Sequence, residues 1–69
     1  MILLGPGDNH PLISAVKRRL GMSPGDDYFT DELAARIRGE QMRLRMQPSG
    51  LIDDDLMRLL MPHGVQVDA

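Results

Sequence analysis

The sequence predicts an all-α fold, a small bundle of three helices with short extended termini. Three observations favour it. Apolar residues recur at helical spacing in three separate stretches; a capping or acidic residue precedes each stretch; and a glycine or proline follows each one. A chain of 69 residues has room for one domain over residues 1–69. Its 42% hydrophobic and 26% charged content is typical of a globular protein.

The first helix is predicted over about residues 11–20. One of its faces is apolar and is formed by Leu12, Ile13, Val16 and Leu20. Asp8 or Asn9 is expected to begin the helix, since short polar side chains cap free backbone N–H groups. Gly21 is expected to end it in the left-handed conformation.

The second helix is predicted over about residues 31–45, with Thr30 as its N-cap. It must end before Pro48, which disfavours helical geometry in the preceding residue. The third helix is predicted over about residues 54–61, and one residue of its acidic start, 53–55, is expected to cap it. The tail 63–69 remains, and we expect it either to add a strand through Val65 and Val67 or to stay loose.

Several short patterns are shared with one known family. An apolar-x-x-Leu-Gln-x-x-Leu helix is matched by Ile13, Val16, Lys17 and Leu20, and an Asp-Gly-x-Phe-Gly-x-x-Thr loop by residues 26–33. Glu40-Gln41 stands in place of Phe-Gln, and Ser49-Gly50-Leu51-Ile52-Asp53 in place of the second loop. Over about residues 3–60 the chain therefore resembles the peptidoglycan-binding-like family, three-helix modules often attached to bacterial and phage cell-wall hydrolases.

The resemblance implies a three-helix fold, a core position for Phe29 and a possible cell-wall ligand. Glycan recognition commonly uses an aromatic face together with polar side chains. The residues that offer this chemistry are Tyr28, Asp26 and Asp27. Peptidoglycan binding is therefore one expectation for this chain.

The second helix has two apolar faces. Leu33, Ile37 and Leu44 form one stripe, which we expect to face the other helices. Ala35, Gly39 and Met42 lie about 180–240° around the helix from Leu33 and form a second, smaller seam. A glycine inside a helix costs about 1 kcal/mol relative to alanine, which suggests that something contacts this seam closely.

Two candidates can cover the seam. The chain's own tail can do so through Val65 and Val67, or another chain can do so while the flanking arginines make charge-assisted contacts at the rim. The flanking residues are Arg36, Arg38, Arg43 and Arg45. In the second case, the partner is another protein or a copy of this chain.

Other functions are disfavoured. There is no cysteine, which excludes disulfides, thiolate metal sites and a cysteine nucleophile, and the two histidines, His10 and His63, have no acidic residue at ligand spacing. Neither a metal nor a cofactor is expected. The aspartates are predicted at loops and helix starts, where solvation leaves no shifted acid–base pair, so we expect no enzyme. A net charge of −2 argues against nucleic acid.

The expected function is therefore structural. The N-terminus has neither a basic region nor a long apolar run, which predicts synthesis in the cytoplasm without a signal peptide and no membrane segment. We expect a non-enzymatic accessory, minor capsid, decoration or connector component of a phage particle, located in the virion. The alternative is a cell-wall binding module.

Overall fold

A computed structural model describes residues 1–23 and 25–62. Within them the chain forms three helices and a two-stranded antiparallel sheet. In chain order the elements are β1 (Leu3–Leu4), α1 (Pro11–Arg19), α2 (Asp31–Arg43), β2 (Ile52–Asp53) and α3 (Asp54–Leu60). The prediction of three helices is confirmed, but the fold is mostly helical and not purely all-α.

The N-terminal segment pairs with both of the loops that precede a helix. Leu3 pairs with Asp53 and Leu4 with Ile52 in the sheet. Further along the segment, Asn9 forms a single antiparallel bridge with the first loop. Two-residue strands show no alternation of apolar and polar residues, which is why the sequence pattern did not predict this sheet.

The helix starts follow the expected chemistry, with one correction. Thr30 caps α2 by accepting the N–H of Leu33 at 3.1 Å, and Asp53 caps α3 in the same way. The prediction that Asp8 or Asn9 caps α1 is wrong. His10 is the N-cap, and its Nδ1 accepts the N–H of Leu12 at 3.0 Å.

Asp8 is not available as a helix cap because it organises the turn before α1. Its Oδ2 accepts the N–H of Gly5 at 2.8 Å, and its own N–H donates to the carbonyl of Gly5. Its carbonyl accepts the N–H of Phe29. The residue therefore joins the N-terminal turn to the first loop.

The first helix ends as predicted. Gly21 has a φ of +71°, in the left-handed region. The N–H of Met22 donates to the carbonyl of Lys17 at 2.9 Å, and the N–H of Gly21 donates to that of Arg18 at 3.1 Å. These two bonds form a Schellman motif, which satisfies carbonyls that the helix leaves free.

The second helix ends in the same motif, two residues earlier than predicted. Arg45 has a φ of +60° and takes the position that glycine normally holds. The N–H of Met46 donates to the carbonyl of Gln41 at 2.7 Å, and the N–H of Arg45 to that of Met42. The chain reverses here, so Arg45 lies beyond the helix and not on its flank.

The core lies between the three helices and the two loops. The inner stripe of α2 is confirmed at Leu33 and Ile37, which are fully buried, whereas Leu44 is half-buried because it caps the helix end. Phe29 is in the core, as the resemblance implied. The largest fully buried side chains are those of Phe29, Ile13, Leu33, Ile37, Ile52, Leu56, Gln41 and Val16.

Candidate interaction surface

The first loop is held by a buried lysine of α1. Lys17 is only 3% exposed. Its Nζ donates to Oδ1 of Asp26 and to the carbonyl of Tyr28, both at 2.5 Å. An ammonium group out of water is tolerated when it is paired and hydrogen-bonded in this way. The loop is thus fastened to the helix before it.

The second loop is held by a buried glutamine of α2. Gln41 is fully buried. Its Oε1 accepts the N–H of Gly50 at 2.9 Å, while its Nε2 donates to Oγ of Ser49 at 3.1 Å and to the carbonyl of Leu51 at 3.3 Å. Both ends of the amide are satisfied, so its burial leaves no unpaired polar atom.

Neither anchoring role follows from residue type, because lysine and glutamine on a helix are most often solvated. The spacing does carry a signal. Lys17 lies four residues after Ile13, and Gln41 lies four residues after Ile37, so each continues the apolar stripe of its helix. A polar residue on the buried stripe is the feature that indicates an anchor.

The residues predicted for glycan binding meet in the first loop. Asp27 is exposed and Tyr28 is 47% exposed. Asp26 is partly engaged inside the molecule, since its Oδ1 accepts from Lys17 and from the N–H of Tyr28. The hydrogen bond from Lys17 holds the pKa of the Asp26 carboxyl below its ordinary value of 3.8.

The predicted seam of α2 is exposed within the described part of the chain. We call Ala35, Gly39 and Met42 the outer face of α2. All three are exposed, and Met42 is 61% exposed. A Cβ added at Gly39 would meet no atom within 4 Å, and this glycine is not among the residues with positive φ. Neither packing against residues 1–23 and 25–62 nor backbone conformation therefore requires a glycine here.

Two of the four predicted rim arginines are engaged within the molecule. Nη2 of Arg36 donates to the carbonyl of Leu20 at 3.2 Å, which ties α2 to the end of α1. Arg43 forms an ion pair with Glu40 at 2.6 Å. This hydrogen-bonded pair lowers the pKa of Glu40 from its ordinary value of 4.5.

The other two rim arginines present their charge differently. Arg38 packs over Gly50, where a Cβ would meet its Nη1 at 2.9 Å. Arg45 is exposed, and its guanidinium makes no hydrogen bond or ion pair with any residue in 1–23 or 25–62. Arg38 has no such partner in these residues either, but its guanidinium lies against Gly50, so Arg45 is the cation of the four with the fewest internal contacts.

An open groove of about 650 Å³ lies between the second loop and α3. Its walls combine apolar and acidic side chains, and Asp55 in one wall pairs with Arg58 at 3.1 Å. The lining residues are Met46, Gln47, Pro48, Ser49, Asp53, Asp55, Arg58 and Leu59. The groove begins one residue after Arg45, so it adjoins the end of α2.

Val65, Val67 and His63 lie outside the described residues, so tail coverage of the outer face stays a prediction. Within residues 1–23 and 25–62, no three His, Asp or Glu side chains are grouped as metal ligands would be. In the same part of the chain, every helix is too short or too polar to cross a membrane.

Comparisons of the chain with protein-family models, with curated proteins and with solved structures find no match.

Proposed function

We propose that this chain is a non-enzymatic assembly protein that binds another protein through the outer face of α2. The proposed setting is a phage particle, in which the chain is an accessory, minor capsid, decoration or connector component. This setting is supported by the resemblance of residues 3–60 to a family that accompanies phage cell-wall hydrolases. The assembly role is supported by the surface itself.

Gly39 is the observation that carries the proposal. An exposed helix interior normally favours alanine over glycine by about 1 kcal/mol. The described structure gives no internal reason for the glycine, since there is space for a Cβ and φ is not positive. A protein docked on the outer face does give one, because a glycine lets a neighbouring backbone approach closely. Met42 beside it adds exposed apolar area.

A matched pair of substitutions tests the role. Gly39→Leu fills the outer face with a bulky side chain. We expect the variant chain to be absent from the phage particles when these are purified on a density gradient. Gly39→Ala is the control, because alanine also has a higher helix propensity than glycine but adds little volume. Both variants should unfold in urea at a free energy at least equal to wild type, and alanine should raise it by about 1 kcal/mol. Particle association unchanged by leucine would contradict the proposal.

Cell-wall binding is the second candidate. It is favoured by the exposed ring of Tyr28 beside the exposed carboxylate of Asp27 in the first loop, a pairing suited to a sugar. Retention of the chain on purified peptidoglycan tests it. The candidate requires that wild type is retained and that Tyr28→Ala is not. It fails if wild type stays in the supernatant.

A further inference from the structure

We propose that the partner on the outer face of α2 is a second copy of this chain, held in a two-fold dimer. In this dimer the end of α2 in each copy enters the groove of the other. This inference rests on the proposed assembly function and names its partner. It is supported by two neighbouring surfaces of opposite net charge.

The first surface is a basic ridge at the end of α2. Residues 36–45 contain four arginines and a single acid, Glu40, which is already paired with Arg43. Met42 projects from this ridge with most of its side chain exposed. Arg45 follows the helix end with no polar partner among the described side chains.

Arg45 also has an unusual backbone conformation. It holds a positive φ at the position where α1, ending in the same motif, has Gly21. A non-glycine residue in this region costs about 1 kcal/mol. Strained residues of this kind concentrate where a side chain has a task outside the fold. A binding role for the guanidinium explains why an arginine stands there.

The second surface is the groove, which is acidic where the ridge is basic. Asp53 and Asp55 stand in its walls together with the apolar side chains of Leu59 and Met46 and with one cation, Arg58, which pairs with Asp55. Asp54 is exposed beside them. The exposed methionine flanked by arginines therefore has, on the same molecule, a groove of mixed apolar and polar side chains in which two carboxylates outnumber one arginine. This charge complementarity favours a second copy as the occupant.

The position of the two surfaces favours a closed pair. The ridge ends at Arg45 and the groove begins at Met46, so both lie at one end of α2. A two-fold axis between two copies brings the ridge of each to the groove of the other, and each contact then occurs twice. A head-to-tail chain would instead leave one surface open at each end.

Charge exchange between the two surfaces tests the dimer. Sedimentation equilibrium of the full chain, up to about 1 mM, measures its mass at concentrations where even a dimer with a dissociation constant of about 1 mM contains about half of the chains. We expect wild type to reach the dimer mass. Arg45→Glu and Asp55→Arg, each alone, should raise the dimer dissociation constant at least about tenfold, because each places like charges together twice.

An equimolar mixture of these two variants should dimerise as wild type does, since both contacts are attractive in the mixed pair. Arg18→Glu and Asp27→Arg are the controls, as they make the same charge changes at exposed sites away from the two surfaces. They should leave the mass unchanged.

Three outcomes would overturn the inference: a wild-type chain that stays monomeric, single reversals that dimerise normally, or a mixture that stays monomeric. Failure here is separable from failure of the assembly role. If Gly39→Leu still removes the chain from the particle fraction, the outer face binds a different protein and the proposed function stands.

Discussion

The first and second loops are held at the same position of the preceding helix by different chemistry. Lys17 and Gln41 each supply the carbonyl that closes the helix-ending motif, and each turns its side chain into the loop that follows. The glutamine is neutral and satisfied at both ends. The lysine carries a charge and needs the surface carboxylate of Asp26.

Buried polar side chains can therefore perform the same structural task with different dependence on solvent and pH. A neutral amide that is fully paired is insensitive to pH, and its removal leaves two backbone groups unpaired. An ion pair with one exposed member is weakened by solvent and by acid. We therefore expect the second loop to depend more strongly on its anchor than the first.

Loss of the glutamine anchor should give the largest effect. Gln41→Leu keeps a side chain of similar volume but leaves the N–H of Gly50 and the carbonyl of Leu51 without their hydrogen-bond partner. We expect the free energy of unfolding, measured in urea, to fall by about 3 kcal/mol. Gln47→Leu, at an exposed position, should change it by less than about 0.5 kcal/mol. Equal effects at the two glutamines would contradict the anchoring role.

Loss of the lysine anchor should cost less. Lys17→Met keeps the stem of the side chain in the core, and Asp26, which is more than half exposed, regains water. We expect a loss of about 1–2 kcal/mol in the same urea titration, because an ion pair with one exposed member contributes little and one further hydrogen bond, to the carbonyl of Tyr28, is lost. Arg18→Met is the exposed control. A loss as large as that of Gln41→Leu would erase the difference between the loops.

The two helix ends extend the comparison to the backbone. Gly21→Ala should lower the free energy of unfolding by about 1 kcal/mol, since alanine is strained at positive φ. Arg45→Gly should raise the free energy of unfolding by about 0.5 kcal/mol. Glycine relieves the strain at positive φ, but it also increases the conformational entropy of the unfolded chain. Thermal unfolding of the two variants measures both signs. Destabilisation by Arg45→Gly at concentrations where wild type is monomeric would show that the arginine contributes to the fold itself.

Of the two loop anchors, acid should weaken only the lysine anchor, and this effect should be the smallest of those predicted. The pKa of Asp26 is lowered in the folded state, so its contribution to stability is present above the ordinary pKa of 3.8 and is lost as pH falls through the lowered value. The difference in unfolding free energy between wild type and Asp26→Asn should therefore shrink in this range. The difference between wild type and Gln41→Leu should stay constant there. A constant difference for Asp26→Asn would contradict the pairing with Lys17.

Local signals predicted the helices well. Thr30 and Asp53 precede acidic first turns, and Gly21 follows the last apolar residue of α1, so capping chemistry alone located these boundaries. The end of α2 was missed because Arg45 adopts the conformation expected of glycine.

Contacts distant in sequence could not be predicted. Leu3 pairs with Asp53 across most of the chain, and two-residue strands carry no periodicity that would reveal the pairing. His10 caps α1 although histidine is not a preferred capping residue. At the candidate site, spacing identified the outer face through Gly39 and Met42. The groove was not foreseen, because it exists only once the second loop folds against α3.

Dependence of the thermal midpoint on protein concentration tests most directly whether the end of α2 and the groove join two copies. Association of folded chains raises the midpoint as concentration rises. Between about 10 µM and 1 mM, the midpoint of wild type should rise by several degrees, whereas that of Arg45→Glu should rise less. A wild-type midpoint that is identical at both concentrations would contradict the dimer.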